Sequence, residues 1–130
     1  MSDAAAAPKP NQGDLVWFDV NTPDVAKAKS FYGGLFGWHF SDVPMGSFDY
    51  TMIHQKDKQI GGIMPMVGPD WQGVPAHWMN YIAVDDVDAV ARRAEELGGK
   101  ICVPPTDLPV GRFAVITDPA GAAFSLWKSK

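Results

Sequence analysis

The sequence predicts an α+β fold built from two tandem β-α-β-β-β modules. In each half, an apolar strand-like segment is followed by an aspartate, Asp24 or Asp86, and then by an apolar pattern with helical spacing. The two halves coincide at a shift of 62 residues, which also places Gly37 on Gly99. A segment rich in glycine and proline, residues 67–76, separates them. These observations indicate an internal duplication of roughly fifty residues.

The first module begins with a strand at 15–20, because these residues are mostly β-branched or aromatic. Thr22 can cap the helix that follows, and Pro23 suits its first position. Gly37 is expected to end this helix, since glycine readily takes the left-handed conformation of a helix C-terminus. The apolar positions of the helix recur at helical spacing: Val25, Ala28, Phe31, Tyr32 and Leu35.

The second module repeats this order of elements. Asp86 can cap its helix, and Gly98 and Gly99 are expected to end it. The remaining predicted strands are 38–43, 49–55 and 59–66 in the first module and 77–84, 100–103, 112–117 and 122–128 in the second.

The domain organisation follows from these elements. Residues 1–13 are small, polar and rich in proline, and are predicted to form a flexible tail. Residues 14–128 form a single domain, made of modules 14–66 and 77–128 that are joined by the linker 67–76.

Composition excludes several classes of function. The 130 residues carry a net charge of −4, with 11 basic and 15 acidic side chains and no basic run, so neither nucleic acid nor a membrane surface is an expected partner. A single cysteine, Cys102, excludes an internal disulfide and a zinc finger. The N-terminus has no basic segment of the signal-peptide kind, and a cytoplasmic protein is expected.

Alternation along the first strand of each module predicts a shared concave pocket between the two sheets. Each helix covers one face of its sheet and leaves the other open, and every second strand residue points to that open face. On this reasoning His77, Met79 and Tyr81 share a face, and the shift of 62 residues matches that face to Trp17 and Asp19.

Three of these residues are candidates for acid–base chemistry, each with a structural alternative. Asp19 is an acid within an apolar strand, and is either a pocket carboxylate or the partner of a nearby Arg, His or Tyr. His77 either contacts the ligand or lies at the rim of the pocket. The Tyr81 hydroxyl bonds a ligand oxygen, bonds Asp19, or is satisfied within the core.

Two further side chains have simpler alternatives. Arg112 begins a strand, and either contacts an anionic ligand at the rim or forms a surface salt bridge. Cys102 lies between Ile101 and Val103, an apolar setting that predicts a buried structural thiol of low reactivity.

Two sequence strings resemble the vicinal oxygen chelate superfamily, which includes glyoxalase I, extradiol dioxygenases and bleomycin-resistance proteins. One is FYGGLFGW at 31–38, and the other is DPAGAAF at 118–124. The resemblance covers residues 14–128 and implies the glyoxalase/bleomycin resistance fold. It does not specify a reaction, because unrelated functions share one fold.

The resemblance also implies where a metal would be held. Metal-using members place four ligands, usually His, Glu or Gln, at equivalent points of the two modules. The matching positions here are Trp17, Ile63, Met79 and Ser125, and these side chains are poor ligands for a divalent ion. A register two residues different would bring in Asp19, His77 and Tyr81, still short of four ligands. We therefore expect no metal site and no cofactor.

The preferred interpretation is a metal-independent protein that binds a small, planar or aromatic molecule in an aromatic-lined pocket. The expected ligand contacts are Trp17, Asp19, His77, Met79, Tyr81 and Ser125. One alternative is a lyase or isomerase that uses Asp19, His77 or Tyr81 as acid–base groups, with or without a loosely held metal. Another is a purely structural or partner-binding domain. Single-domain members of the superfamily imply a homodimer, and the identity of the ligand stays open.

Overall fold

The structure is a computed structural model that describes residues 9–130. Contacts divide the chain into two compact units. The first unit is Trp17–Met79, and the second combines Asn80–Lys130 with the described residues up to Val16. Residues 1–8 of the predicted tail lie outside the described residues. Within the second unit the Gly13 amide donates to the carbonyl of Ala83 at 2.8 Å.

The first unit has a four-stranded sheet and one helix. Its sheet runs in the order β2-β3-β4-β1, with β1 parallel to β4 and the other neighbouring pairs antiparallel. The predicted linker contains a short 3-10 turn at Pro69–Trp71. The elements are β1 (Leu15–Thr22), α1 (Val25–Phe36), β2 (His39–Pro44), β3 (Asp49–Gln55) and β4 (Lys58–Pro65).

The second unit repeats this arrangement. Its strands run in the order β5-β8-β7-β6, and β5 is parallel to β8 as β1 is to β4. The α+β prediction, with one β-α-β-β-β pattern in each half, is confirmed. The elements are β5 (His77–Ala83), of which residues 80–83 lie in this unit, α2 (Val87–Glu96), β6 (Lys100–Leu108), β7 (Gly111–Thr117) and β8 (Ala123–Ser129).

Equivalent aspartates begin the two helices. The Asp24 carboxylate accepts from the Lys27 amide at 3.0 Å, and that of Asp86 accepts from the Ala89 amide at the same distance. The prediction of Thr22 as the cap is wrong, because its hydroxyl instead accepts from the amide of Asp24, one step before the helix. A side-chain cap satisfies amides that the first helical turn leaves unpaired.

The helix ends are not fully equivalent. Gly37 ends α1 in the left-handed conformation at φ 74°, as predicted. At the end of α2 the left-handed residue is Gly98, at φ 98°, and not Gly99. The two helices therefore start 62 residues apart, whereas the left-handed glycines that follow them, Gly37 and Gly98, lie one residue closer than that.

Each unit has its own hydrophobic core. In the first unit the core comprises Val20, Ala28, Ile53 and Ile63, packed between the sheet and α1. In the second it consists of Val84, Val87, Ala91, Ala114, Ile116 and Leu126. One set of alternate residues in β1 and β4 therefore faces α1, and the residues between them face the opposite side of the sheet.

Strand register corrects one predicted equivalence. Asp19 pairs with Gly62 across β1 and β4, and Tyr81 pairs with Ser125 across β5 and β8. The counterpart of Ser125 in the first unit is therefore Gly62 and not Ile63. A difference of one residue moves a side chain to the other face of a strand.

Cys102 is exposed, so the prediction of a buried thiol is wrong. It lies on β6, the last strand in the order of the second unit's sheet. The apolar neighbours Ile101 and Val103 alternate with it and take the less exposed side of the strand. No helix within residues 9–130 is both long and apolar enough to cross a membrane.

Candidate functional site

A tyrosine from β3 links two of the predicted site residues in the first unit. The Trp17 indole N–H donates to the Tyr50 hydroxyl at 2.9 Å. That hydroxyl donates in turn to an oxygen of the Asp19 carboxylate at 2.5 Å, a short hydrogen bond. Asp19 is only 7% exposed, so its carboxyl group is held within the protein and hydrogen-bonded. These three side chains are called the Tyr50 network below.

The Tyr50 network is possible because β4 has a glycine, Gly62, at the place where the Tyr50 side chain passes over it. In the sheet, β4 lies between β3 and β1, and Gly62 pairs with Met52 on one side and Asp19 on the other. A Cβ atom placed on Gly62 would overlap the hydroxyl and ring of Tyr50. The Tyr50 side chain therefore lies over the bare backbone of β4 and reaches from β3 to the Asp19 carboxylate.

His77 is held in one tautomer by two contacts. Its Nδ1 lies 2.8 Å from the carbonyl oxygen of Pro75, which can only accept, so Nδ1 carries the proton. Its Nε2 then accepts from the side-chain amide of Asn21 at 3.3 Å. Asn21 is buried and lies two residues beyond Asp19, on the same face of β1. The His77 ring is thus oriented by a backbone carbonyl on one side and by the Asn21 amide on the other.

A cavity of about 430 Å³ adjoins Asn21 and His77 in the first unit. Its aromatic lining includes Phe31, Tyr32 and Trp78, and the Trp78 indole donates to the Tyr32 hydroxyl at 3.3 Å. This volume lies in the range of small-molecule sites. Asp19 does not line the cavity, because Val20 does and alternation along β1 turns the Asp19 side chain to the opposite face of the sheet.

In the second unit, Tyr81 and Ser125 are neighbours on β5 and β8. The Tyr81 ring meets the Trp127 ring edge-on, with centroids 6.0 Å apart. Ser125 is fully buried, and its hydroxyl has no hydrogen-bond partner among residues 9–130. Met79 shares the less exposed side of β5 with His77 and Tyr81, as alternation predicts.

Replacing Ser125 with alanine is expected to raise the free energy of unfolding by about 1 kcal/mol, because a buried hydroxyl without a partner is destabilising. Ser129→Ala is the matched control, since the Ser129 hydroxyl accepts from the Trp127 indole and its removal should cost a little stability. Urea denaturation of both variants measures the difference. A clear loss of stability in Ser125→Ala would show that its hydroxyl is partnered.

The Arg112 side chain forms a salt bridge, the second of its two predicted alternatives. Its guanidinium bonds both oxygens of Asp88, at 2.9 and 3.0 Å, and one oxygen of Asp107 at 2.8 Å. The hydrogen bonds that Arg112 donates to Asp88 hold the pKa of the Asp88 carboxyl below its usual range. The guanidinium is thus engaged with carboxylates of its own unit.

The donor groups at the four superfamily metal positions can be compared with what a metal requires. With the corrected register these positions are Trp17, Gly62, Met79 and Ser125. Gly62 has no side chain, and the Trp17 N–H is already donated to Tyr50. Within residues 9–130 there is no group of three or more His, Cys, Asp or Glu that could hold a metal ion. This donor set does not fit a divalent cation.

Sequence reasoning missed Tyr50 and Asn21. Tyr50 lies 31 residues from Asp19, and strand alternation alone does not indicate which β3 side chain crosses β4. The pair Gly61-Gly62 within a strand was the available signal, because glycine inside a strand often marks a close approach of another group. Asn21 shared the face of Trp17 and Asp19 and was not singled out.

The fold and the match of its sequence to a family model define the class of protein. Residues 14–126 match the model of the Glyoxalase/Bleomycin resistance protein/Dioxygenase superfamily. The chain belongs to this superfamily, as its sequence resemblance predicted.

Relatives and solved structures agree with this assignment. The chain is 42% identical over 121 residues to CFP32 of Mycobacterium tuberculosis, whose name proposes a glyoxylase, covering 91% of this chain and 46% of that protein. It is 40% identical over 129 residues to the anthracycline biosynthesis protein DnrV of Streptomyces peucetius. This match covers 89% of the chain and 47% of DnrV. The chain therefore spans about half the length of these relatives.

Among solved structures, the methylmalonyl-CoA epimerase of Mycobacterium tuberculosis matches with a TM-score of 0.64. The match covers 98% of this chain and 96% of the epimerase, at 14% identity. At this level of identity the likeness concerns the fold alone.

Proposed function

We propose that the chain is a metal-independent member of the superfamily that binds a small planar or aromatic molecule, with the Asp19 carboxylate as its polar anchor. The observation that carries this proposal is the Tyr50 network, in which a buried carboxylate is oriented by a phenol and an indole. A buried carboxyl group is costly unless it is hydrogen-bonded, and one that is oriented by a phenol is a candidate polar anchor for a ligand.

The surroundings of Asp19 suit a flat ligand. The Trp17 indole lies on the same face of β1 as Asp19 and is linked to it through Tyr50. On the other face, Tyr32 and Trp78 line the cavity of about 430 Å³ next to Asn21 and His77. Flat rings supply contact area, and a few placed polar groups fix orientation. The name of one relative, an anthracycline biosynthesis protein, supports the same class, because anthracyclines are planar polycyclic compounds.

The test is a thermal-shift screen of planar aromatic compounds, followed by titration calorimetry of each compound that stabilises the protein. We expect Asp19→Asn to weaken binding about tenfold or more, since hydrogen bonds to charged groups are worth about 1.5–3 kcal/mol. Trp17→Ala should weaken it as well, through lost ring contact. Asp57→Asn, in the exposed turn between β3 and β4, is the matched control and should bind like the wild type.

Unchanged affinity in both Asp19→Asn and Trp17→Ala would place the ligand away from the Tyr50 network. Binding that disappears on treatment with a chelator would contradict the metal-independent part of the proposal. Both results can be read from the same titrations.

A second candidate function is a lyase or isomerase that uses the same residues. The oriented imidazole of His77 favours it, because a histidine with Nδ1 bonded to a backbone carbonyl can take up a proton at Nε2. In such a reaction a base removes a proton from a carbon next to a carbonyl and returns it at another position. Exchange of deuterium from solvent into a bound ligand, lost in His77→Gln, would distinguish this enzyme from a binding protein.

A further inference from the structure

Helix α1 carries a continuous aromatic surface that is exposed to solvent. The Tyr32 ring lies at its centre, with the rings of Phe31, Trp78 and Phe36 at centroid distances of 5.2, 5.7 and 6.4 Å. Leu35 lies one helical turn beyond Phe31 and is its neighbour on the helix surface. Four of these side chains are half exposed or nearly so: Phe31 at 62%, Leu35 at 58%, Phe36 at 53% and Trp78 at 47%. These four and Tyr32 are called the α1 patch below.

The second helix of the chain shows that the fold does not require such a surface. At the shift of 62 residues that relates the two helix starts, Phe31 corresponds to Arg93. Arg93 is exposed and forms an ion pair with Glu96 at 3.0 Å. Charged side chains are usual on the outer face of a helix that covers a sheet. An exposed ring at Phe31 is therefore better explained by a contact with another molecule than by the packing of its own unit.

The charges around the α1 patch allow contact between two copies of the chain. Helix α1 has no acidic side chain, and each of its two lysines lies close to an aspartate. Lys29 forms an ion pair with Asp42 at 3.0 Å, and Lys27 lies 4.0 Å from the capping Asp24. Two copies that met here would not place unpaired like charges opposite each other.

Aromatic side chains also suit a contact between identical surfaces. In a two-fold dimer the same patch is used on both copies, so residues near the axis meet their own counterparts. An aromatic ring packs favourably against another ring, in an offset or edge-on arrangement. A charged residue in the same place would meet an equal charge. The α1 patch therefore fits a second copy of itself.

From these observations we propose that the chain forms a homodimer in which the α1 patches of two copies face each other. The patch exposes on the order of 400 Å² of side-chain surface, because a large apolar side chain offers about 200 Å². A stable interface buries about 800 Å² on each partner, so the patch supplies an apolar centre to which a polar rim must be added. The dimer requires neither a ligand nor the Tyr50 network, and so goes beyond the proposed function. A pair of copies also equals the curated relatives in length, since the chain spans about half of each.

Sedimentation velocity of the full chain tests the dimer. At about 100 µM the wild type should sediment as a dimer, because interfaces of standard size have dissociation constants in the micromolar range or below. A dilution series then gives the dissociation constant.

Leu35→Lys and Leu97→Lys form a matched pair of variants. Leu97 has the equivalent place at the end of α2 and is 62% exposed, against 58% for Leu35. Leu35→Lys should weaken the dimer by about a hundredfold or more, because two unpaired ammonium groups would meet at an apolar centre. Leu97→Lys should sediment like the wild type. Circular dichroism checks that both variants are folded.

Phe31→Arg is a second test of the same surface. It gives α1 the side chain that α2 has at the equivalent position, where the fold accepts it. The dimer should weaken to a similar extent as in Leu35→Lys. If Leu35→Lys does not fold, Phe31→Arg gives the same information.

A wild type that remains monomeric at about 100 µM overturns the proposal. A dimer that neither Leu35→Lys nor Phe31→Arg weakens also overturns it, because its interface then lies elsewhere. Equal weakening by Leu97→Lys does so too, since added charge alone would then explain the dissociation. A monomeric wild type that pellets with vesicles of phosphatidylcholine and phosphatidylserine, and loses this binding in Leu35→Lys, would assign the α1 patch to a lipid surface instead.

Discussion

Replacing Ile63 with alanine is expected to lower the free energy of unfolding by about 2–5 kcal/mol, the range for removing a fully buried branched side chain. Ile63 is 0% exposed and packs with Val20, Ala28 and Ile53 beneath α1. Its removal leaves a cavity that a sheet covered by a helix cannot readily close. Guanidinium denaturation followed by circular dichroism measures the loss.

The control for Ile63→Ala is Val67→Ala, because Val67 is exposed beyond the end of β4 and should change stability little. This pair also tests the register. Ile63 faces α1 and not the side of Asp19, so a ligand anchored at Asp19 should still bind the folded variant. A stability loss similar to that of Val67→Ala would mean that Ile63 does not face the core.

Gly111→Ala should destabilise the second unit by about 1–3 kcal/mol or more, through overpacking. A Cβ atom at Gly111 would lie 2.5 Å from the backbone carbonyl oxygen of Lys128 and 2.6 Å from the Trp127 ring. Both neighbours belong to β8, which pairs with β7 along its whole length. A backbone carbonyl within a ladder cannot move aside without breaking strand pairing.

Gly34→Ala is the matched substitution with the opposite expected sign. Gly34 lies within α1, and a Cβ atom there has nothing within 4 Å. Alanine in a helix is favoured over glycine by about 0.5–1 kcal/mol, so this variant should be more stable than the wild type. Thermal denaturation of the two variants side by side gives the comparison. An unaltered melting temperature in Gly111→Ala would contradict the close approach of β8.

Local signals predicted most of the fold. Apolar alternation located the strands, and β3 at Asp49–Gln55 has the predicted bounds. Asp24 and Asp86 begin helices in equivalent places, because an aspartate directly before an apolar pattern with helical spacing favours a helix N-cap. These features depend on neighbours within a few residues, and the sequence shows those neighbours directly.

The candidate site was only partly predictable. Alternation placed Trp17 and Asp19 on one face of β1, and the structure joins them by hydrogen bonds through Tyr50. The expected structural partner of Asp19 was a nearby Arg, His or Tyr, and Tyr50 is such a partner, although no residue number was predicted for it from β3. Which tyrosine approaches a strand depends on strand order, and the order β3-β4-β1 is a property of the assembled sheet.

The sequence by itself determined the class of fold, the position of both helices and the face on which Trp17 and Asp19 lie, because the periods of strands and helices are local. Only the tertiary structure decided that Gly62, and not Ile63, faces the same side as Asp19. An alignment of the two halves on their helices does not reveal an extra residue between the helix and the last strand of one half. One extra residue turns every side chain of that strand to the other face of the sheet. The Tyr50 network depends on this register, because it places Gly62, which has no side chain, beneath the Tyr50 phenol.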